Sequence, residues 1–158
     1  SHQAPYRHFR SRDYLLAEVV DRCFRDFDAD LATVEASDDP HDDLHRLGRR
    51  YLAYARSKPL EYRLVFGAKL PKPEDHPGML ERGCGAFDQL RGVLARILGS
   101  PADSDRVAAE AIFTWSTIHG LASIQMTEAM GELGLSDAVQ DGAAEHVLTR
   151  IGAALRPN

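Results

Sequence analysis

The chain is poor in cysteine, lysine and tryptophan, with two, three and one among 158 residues. It has no apolar run near the roughly 18 residues that span a bilayer, which excludes a helical membrane span. Cys23 and Cys84 lie far apart and form no CxxC pair. That spacing excludes a disulfide scaffold and a paired-cysteine zinc or redox motif, and with no signal-peptide pattern the expected compartment is a reducing cytoplasm. The sequence holds no glycine-rich phosphate loop and no nucleophile elbow, so nothing in it supports catalysis, and neither enzyme activity nor a cofactor is expected. Period-2 alternation of β-branched residues between tight turns is missing as well, which excludes a sheet protein. What remains is ordinary globular composition, 44% hydrophobic and 27% charged, at a length that predicts one domain.

Apolar residues recur every three or four positions from end to end, so the predicted fold class is all-α. The first stripe is Leu16, Val20, Cys23, Phe27, Leu31 and Val34, with Ser11 as N-cap, and it predicts a helix from about residue 12 to 35. Ser37-Asp38-Asp39-Pro40 breaks it and starts a second helix carrying Leu44, Leu47, Tyr51 and Tyr54, which must stop near Lys58 because Pro59 follows. Pro59 opens a short helix that ends at Gly67, and Pro71, Pro73 and Pro77 mark a loop. Leu80, Cys84, Phe87, Leu90, Leu94 and Ile97 form the next stripe, closed by Gly99. From about Asp105 to Met130 the pattern is apolar on two sides: Ile112, Trp115, Ala122 and Met126 on one, Val107, Ala111, Ile118 and Leu121 on the other. After Gly131 and Gly134, Ser136 caps a last helix with Val139, Ala143, Val147, Ile151 and Leu155 along one side.

Charge is unevenly placed. The net value is −5, yet residues 1–12 hold Arg7, Arg10 and Arg12 and no acid, so that tip carries +3 and the remainder −8. A basic tip on an acidic body fits contact with a polyanion at one end only. The sixteen arginines against three lysines carry no mechanistic information. His41 and His45 sit at i and i+4, a spacing that can chelate a metal, but Asp42 stands where a metalloprotease helix has its glutamate and no third ligand follows, so a solvated helix start is the reading and no metal is expected. His119 falls one turn after Trp115 in the most apolar helix, where an unpaired imidazole would be costly. It reads either as a core histidine bonded to a neighbour or as the lining of a ligand cavity. Tyr51, Tyr54, Tyr62, Phe66, Phe87, Phe113, Trp115 and Met126 could form an aromatic wall or plain core, and periodicity does not separate the two.

Two stretches together resemble the tetracycline-repressor family of bacterial transcription regulators. Ser1-His2-Gln3-Ala4-Pro5-Tyr6-Arg7-His8-Phe9, followed by Ser11-Arg12-Asp13-Tyr14-Leu15-Leu16, is similar to that family's recognition helix running into its connecting helix. Trp115-Ser116-Thr117-Ile118-His119-Gly120 is similar to the Trp-x-x-x-His-Gly signature of one subgroup of its ligand-binding domains, and Tyr51 through Pro59 to Phe66 fits the same subgroup.

The resemblance implies an all-α ligand-binding and dimerisation domain over residues 15–158, preceded at 1–14 by the end of a helix-turn-helix domain whose first two helices, some forty residues, are expected upstream. It implies operator contacts from Gln3, Tyr6, Arg7, His8 and Arg12, largely to phosphates and therefore salt-sensitive. An effector pocket is implied at Tyr54, Tyr62, Phe66, Phe87, Trp115, His119 and Met126, suited to a small apolar or aromatic molecule with one or two hydrogen-bonding groups. A homodimer is implied through the last two helices, with Ile118, Leu121, Ala143, Val147, Ile151 and Leu155 at the interface. The expected function is a repressor released by that effector. The alternative is an all-helical small-molecule-binding or interaction domain with no role on DNA.

Overall fold

A computed structural model of the chain describes residues 11–67, 70, 72, 75–127 and 129–156. Among them are seven helices: α1 (Arg12–Leu31), α2 (Pro40–Ser57), α3 (Pro59–Phe66), α4 (Pro77–Leu98), α5 (Asp105–Gln125), α6 (Ala129–Glu132) and α7 (Asp137–Ala154). The all-α expectation holds, since no strand occurs among the described residues. None of these helices is long and apolar enough to cross a membrane.

The helix starts follow local chemistry. The Ser11 hydroxyl accepts the Tyr14 backbone N–H at 3.3 Å, and the Asp39 carboxylate accepts those of His41 and Asp42 at 2.9 and 3.2 Å with Pro40 occupying the first helical position. Ser104 does the same for Val107 at the start of α5. Gly99 ends α4 at φ +57°, a left-handed turn that a side chain would strain.

Two ends differ from the sequence reading. α1 stops at Leu31 because Thr33 and Val34 fold back onto the carbonyls of Asp30 and Leu31 in a tight turn, and the Thr33 hydroxyl adds a bond to Asp30 at 2.7 Å. Val34 still packs on the core, from the turn and not from a helix. α5 stops at Gln125, five residues early: both the backbone and the hydroxyl of Thr127 bond back to the Ile124 carbonyl, a local alternative to the helical ladder.

α4 packs across α1, α2 and α5, while α7 lies against α2 and α5. The main core gathers Phe27, Leu31, Leu44, Leu52, Tyr62, Leu94, Val107, Ala111, Leu148 and Ile151 from six helices. Each large apolar side chain so enclosed contributes roughly 1.5–3 kcal/mol relative to exposure. A second cluster, with Ala17, Val20, Cys23, Phe24 and Val65, joins α1 to α3. On α5 the inward stripe is Val107, Ala111, Thr114, Ile118 and Ala122, whereas Ile112 lies largely exposed, so only one of its two apolar sides is core. On α7 the fully buried positions are Leu148 and Ile151, and Val139, first in the predicted stripe, is 54% exposed. α2 approaches α7 closely at Gly48, where a Cβ would overlap Leu148.

A buried carboxylate pins the α1–α2 turn to the bundle. Asp43, 1% exposed, accepts from the backbone N–H and hydroxyl of Ser37 and from Arg46 and Arg96. Bonds from Ser37, with Arg96 beside them, hold its carboxyl well below the usual range.

Candidate ligand cavity

Five helices line a half-open cavity of about 400 Å³. Its walls come from Phe24, Phe27 and Leu31 on α1, Leu47 and Tyr51 on α2, Phe66 on α3, Cys84, Phe87 and Leu90 on α4, and Trp115 and Ile118 on α5. The volume and apolar lining are those of a small-molecule pocket. Glycine helps to open it: Gly83 on α4 faces the Phe24 ring, and a Cβ there would come within 3.2 Å of it.

The aromatic side chains form a continuous wall. Phe66 is the hub, its ring centroid 5.7 Å from Phe27, 4.9 Å from Tyr62, 5.1 Å from His119 and 6.3 Å from Trp115. Trp115 also meets Phe87 edge-on at 5.9 Å. Such tilted and edge-to-face pairs each contribute about 0.5–1.5 kcal/mol beyond area burial, which makes the wall stiff. Trp115 is 36% exposed and so lies toward the rim.

At Tyr51 that wall meets a polar cluster. The hydroxyl of Tyr51 lies 2.9 Å from that of Tyr62 and 3.0 Å from Nδ1 of His119, and Tyr62 Oη lies 2.7 Å from the same nitrogen. Burial pushes the Tyr51 phenol up to about 12 and Tyr62 higher still, and it pushes the His119 imidazole down, so all three groups are neutral near pH 7. On the far side of Tyr62 and His119 a shallower pocket opens, also lined by Ser123 and Met126.

A family model described as the tetracyclin repressor-like C-terminal domain matches residues 44–151, more than half of the sequence. The chain belongs to that family. The matched span runs from the second helix to the last and contains most of the cavity wall. No curated protein sequence matches. Two solved structures share the fold. One, "a protein with unknown function from Rhodococcus sp. RHA1", is 23% identical with a TM-score of 0.69, covering 98% of this chain and 76% of that one. The other, described as "putative regulatory protein SCO4313", is 22% identical with a TM-score of 0.74, covering 96% and 78%.

Within this repressor-like domain the residues expected at the pocket divide into three groups. Phe66, Phe87 and Trp115 line the main cavity. Tyr62, His119 and Met126 line the shallower pocket and stand behind Tyr51 and Phe66. Tyr54 lines neither: three residues after Tyr51 it is turned about 60° around the axis of α2, and it is buried in the core against Phe27, with its hydroxyl 3.5 Å from the Cys23 carbonyl. Tyr51 is a polar lining residue, and α1 adds a wall from Phe27, on its apolar stripe, and from Phe24, which that stripe did not include.

The expected interface also needs revision. Ile118, Ile151 and Leu155 are buried in the chain's own core, Ile118 at the cavity, so they have little surface to offer a partner. Leu121, Ala143 and Val147 are half-buried. The large apolar side chains exposed on the same two helices are Ile112, Phe113, Ile124 and, at the cavity rim, Trp115 on α5, and Val139 on α7.

Arg12 is exposed in the first turn of α1. Gln3, Tyr6, Arg7 and His8 lie outside the described residues, as does the side chain of Leu80. His45 is engaged with Glu145 of α7, Nε2 to Oε2 at 3.2 Å, and Arg49 reaches the same carboxylate at 3.0 Å, so this imidazole serves the α2–α7 seam. Among the described residues no group of three or more His, Cys, Asp or Glu could hold a metal ion.

Proposed function

We propose that residues 15–158 form the effector-binding and dimerisation domain of a DNA-binding transcriptional regulator, and that residues 1–14 are the end of its helix-turn-helix domain. The observation that carries the reading is the position of α1. The same helix that supplies Phe24, Phe27 and Leu31 to the cavity begins at Arg12, directly after the basic tip. An occupant of the cavity therefore touches the element that would carry the DNA-binding end. A ligand that prefers one placement of α1 against α4 biases the separation of two recognition helices in a dimer.

The regulator is a repressor whose operator binding is relieved by a small apolar or aromatic effector. It works as a homodimer through α5 and α7, whose outward faces carry Phe113, Ile124 and Val139 beside small residues such as Gly120 and Gly142. Gln3, Tyr6, Arg7, His8 and Arg12 supply contacts to the operator, mostly to phosphate.

The test uses the full-length protein. A selection from random DNA fragments is expected to return a discrete operator, and challenge of the bound complex with aromatic and lipophilic compounds is expected to release it. Selection without release removes the effector role, and failure to select any sequence favours a helical binding domain without a role on DNA.

A further inference from the structure

No lysine, arginine, aspartate or glutamate lines the cavity among the described residues. Apart from Cys84 with its weakly bonding thiol, the lining residues that carry a polar side-chain atom are Tyr51 and Trp115. The Tyr51 hydroxyl meets two polar groups, the Tyr62 hydroxyl at 2.9 Å and His119 Nδ1 at 3.0 Å.

The cluster admits more than one neutral arrangement of protons. With the imidazole proton on Nε2, Tyr62 donates to Nδ1 and Tyr51 donates to Tyr62, so both phenol protons are used within the cluster. With the proton on Nδ1 donated to Tyr62, and Tyr62 donating to Tyr51, the Tyr51 proton is left for a ligand.

We propose that the cavity selects uncharged molecules with an apolar body and a single oxygen function, carbonyl or hydroxyl, seated as acceptor on the Tyr51 hydroxyl. The inference rests on the cavity being the effector site. A neutral oxygen gains a bond that the apolar lining does not otherwise supply, while a carboxylate or ammonium would be buried with no opposite charge on any wall. Because Tyr51 is backed by Tyr62 and His119, the donor is oriented before the ligand arrives, which lowers the ordering cost of binding.

A matched ligand series on the full chain tests this. Phenylbutane, phenylbutanol, phenylbutanone, phenylbutanoate and phenylbutylammonium are titrated at neutral pH and followed by calorimetry and by emission of Trp115, the single tryptophan of the chain. The ketone and alcohol are expected to bind at least tenfold more tightly than the anion and the cation. Tyr51→Phe is expected to weaken the ketone about tenfold and leave phenylbutane within about twofold. Equal or tighter binding of phenylbutanoate or phenylbutylammonium overturns the proposal while leaving the cavity as a ligand site. So does a ketone affinity unchanged by Tyr51→Phe. Binding of no member, phenylbutane included, removes the cavity as a ligand site and the effector reading with it. Should the variant fail to fold, the series on the unmodified chain decides the matter alone.

Discussion

Tyr62 Oη and His119 Nδ1, 57 residues apart in the chain, lie 2.7 Å apart across the junction of α3 and α5. The bond fixes a short helix of eight residues, too short to be stable by itself, onto the most apolar of the long helices. Tyr62→Phe leaves the half-buried imidazole with only the longer contact to Tyr51 and is expected to cost about 1 kcal/mol, read as a lower denaturant midpoint. An unchanged midpoint would mean that water replaces the hydroxyl at no cost.

Burial of the phenols gives an alkaline signature. Tyr51 is pushed up to about 12, and Tyr54 and Tyr62 further, so in the folded chain all three remain phenols at about pH 11, above the ordinary tyrosine value of about 10. Phenolate absorbance should therefore account for no more than two of the five tyrosines until the chain unfolds. Raised pKa values contribute stability that is complete below about pH 10 and lost as pH climbs toward the folded values. A smooth titration of all five with no unfolding step would contradict it.

The acid side has the opposite sign and two stages. Burial lowers the His119 pKa, so the unfolded chain binds that proton first, and stability declines as pH drops below about 6.5. The bonds from Ser37 and Arg96 lower the Asp43 carboxyl, whose contribution is complete above about pH 4 and lost below it. His119→Gln is expected to flatten the first stage only and Asp43→Asn the second only, checked by thermal melts between about pH 3 and 8.

Leu148 and Val139 share α7 but differ in surroundings. Leu148 is enclosed against Gly48 and Ile118, and Leu148→Ala is expected to cost about 2–5 kcal/mol through the cavity it leaves. Val139→Ala should change monomer stability by less than about 0.5 kcal/mol, since the side chain is mostly in solvent. Comparable losses from both, in urea titrations, would mean that α7 is rotated from the orientation described.

Ile124 and Phe113 provide the test of assembly. A carboxylate within an apolar dimer face is left unpaired, so Ile124→Asp and Phe113→Asp are each expected to shift sedimentation at micromolar concentration from dimer to monomer while helicity is kept. Ile118→Asp should instead unfold the chain, because that side chain is internal. Retained dimers in both surface variants would place the partner elsewhere.

The sequence by itself settled the fold class, the number of long helices and most of their ends. Those features rest on short-range rules: apolar residues at helical spacing, a side-chain oxygen at Ser11 and Asp39, proline at first helical positions and glycine at position 99. Where ends were misplaced, at Leu31 and Gln125, a threonine hydroxyl took a carbonyl away from the helix, a competition that composition does not reveal. The Trp115–His119 spacing also singled out one helix as the place to look for a site. Which side of each helix faces what was decided by tertiary packing alone. Tyr51 and Tyr54 differ by less than one turn, yet one lines the cavity and the other is sealed in the core; Ile118 and Ile151 are as apolar as any interface residue, yet the chain buries them itself. Periodicity says that a stripe must be covered, but covering by a neighbouring helix, by a cavity or by a second subunit gives the same pattern. Only the positions of the other helices distinguish them.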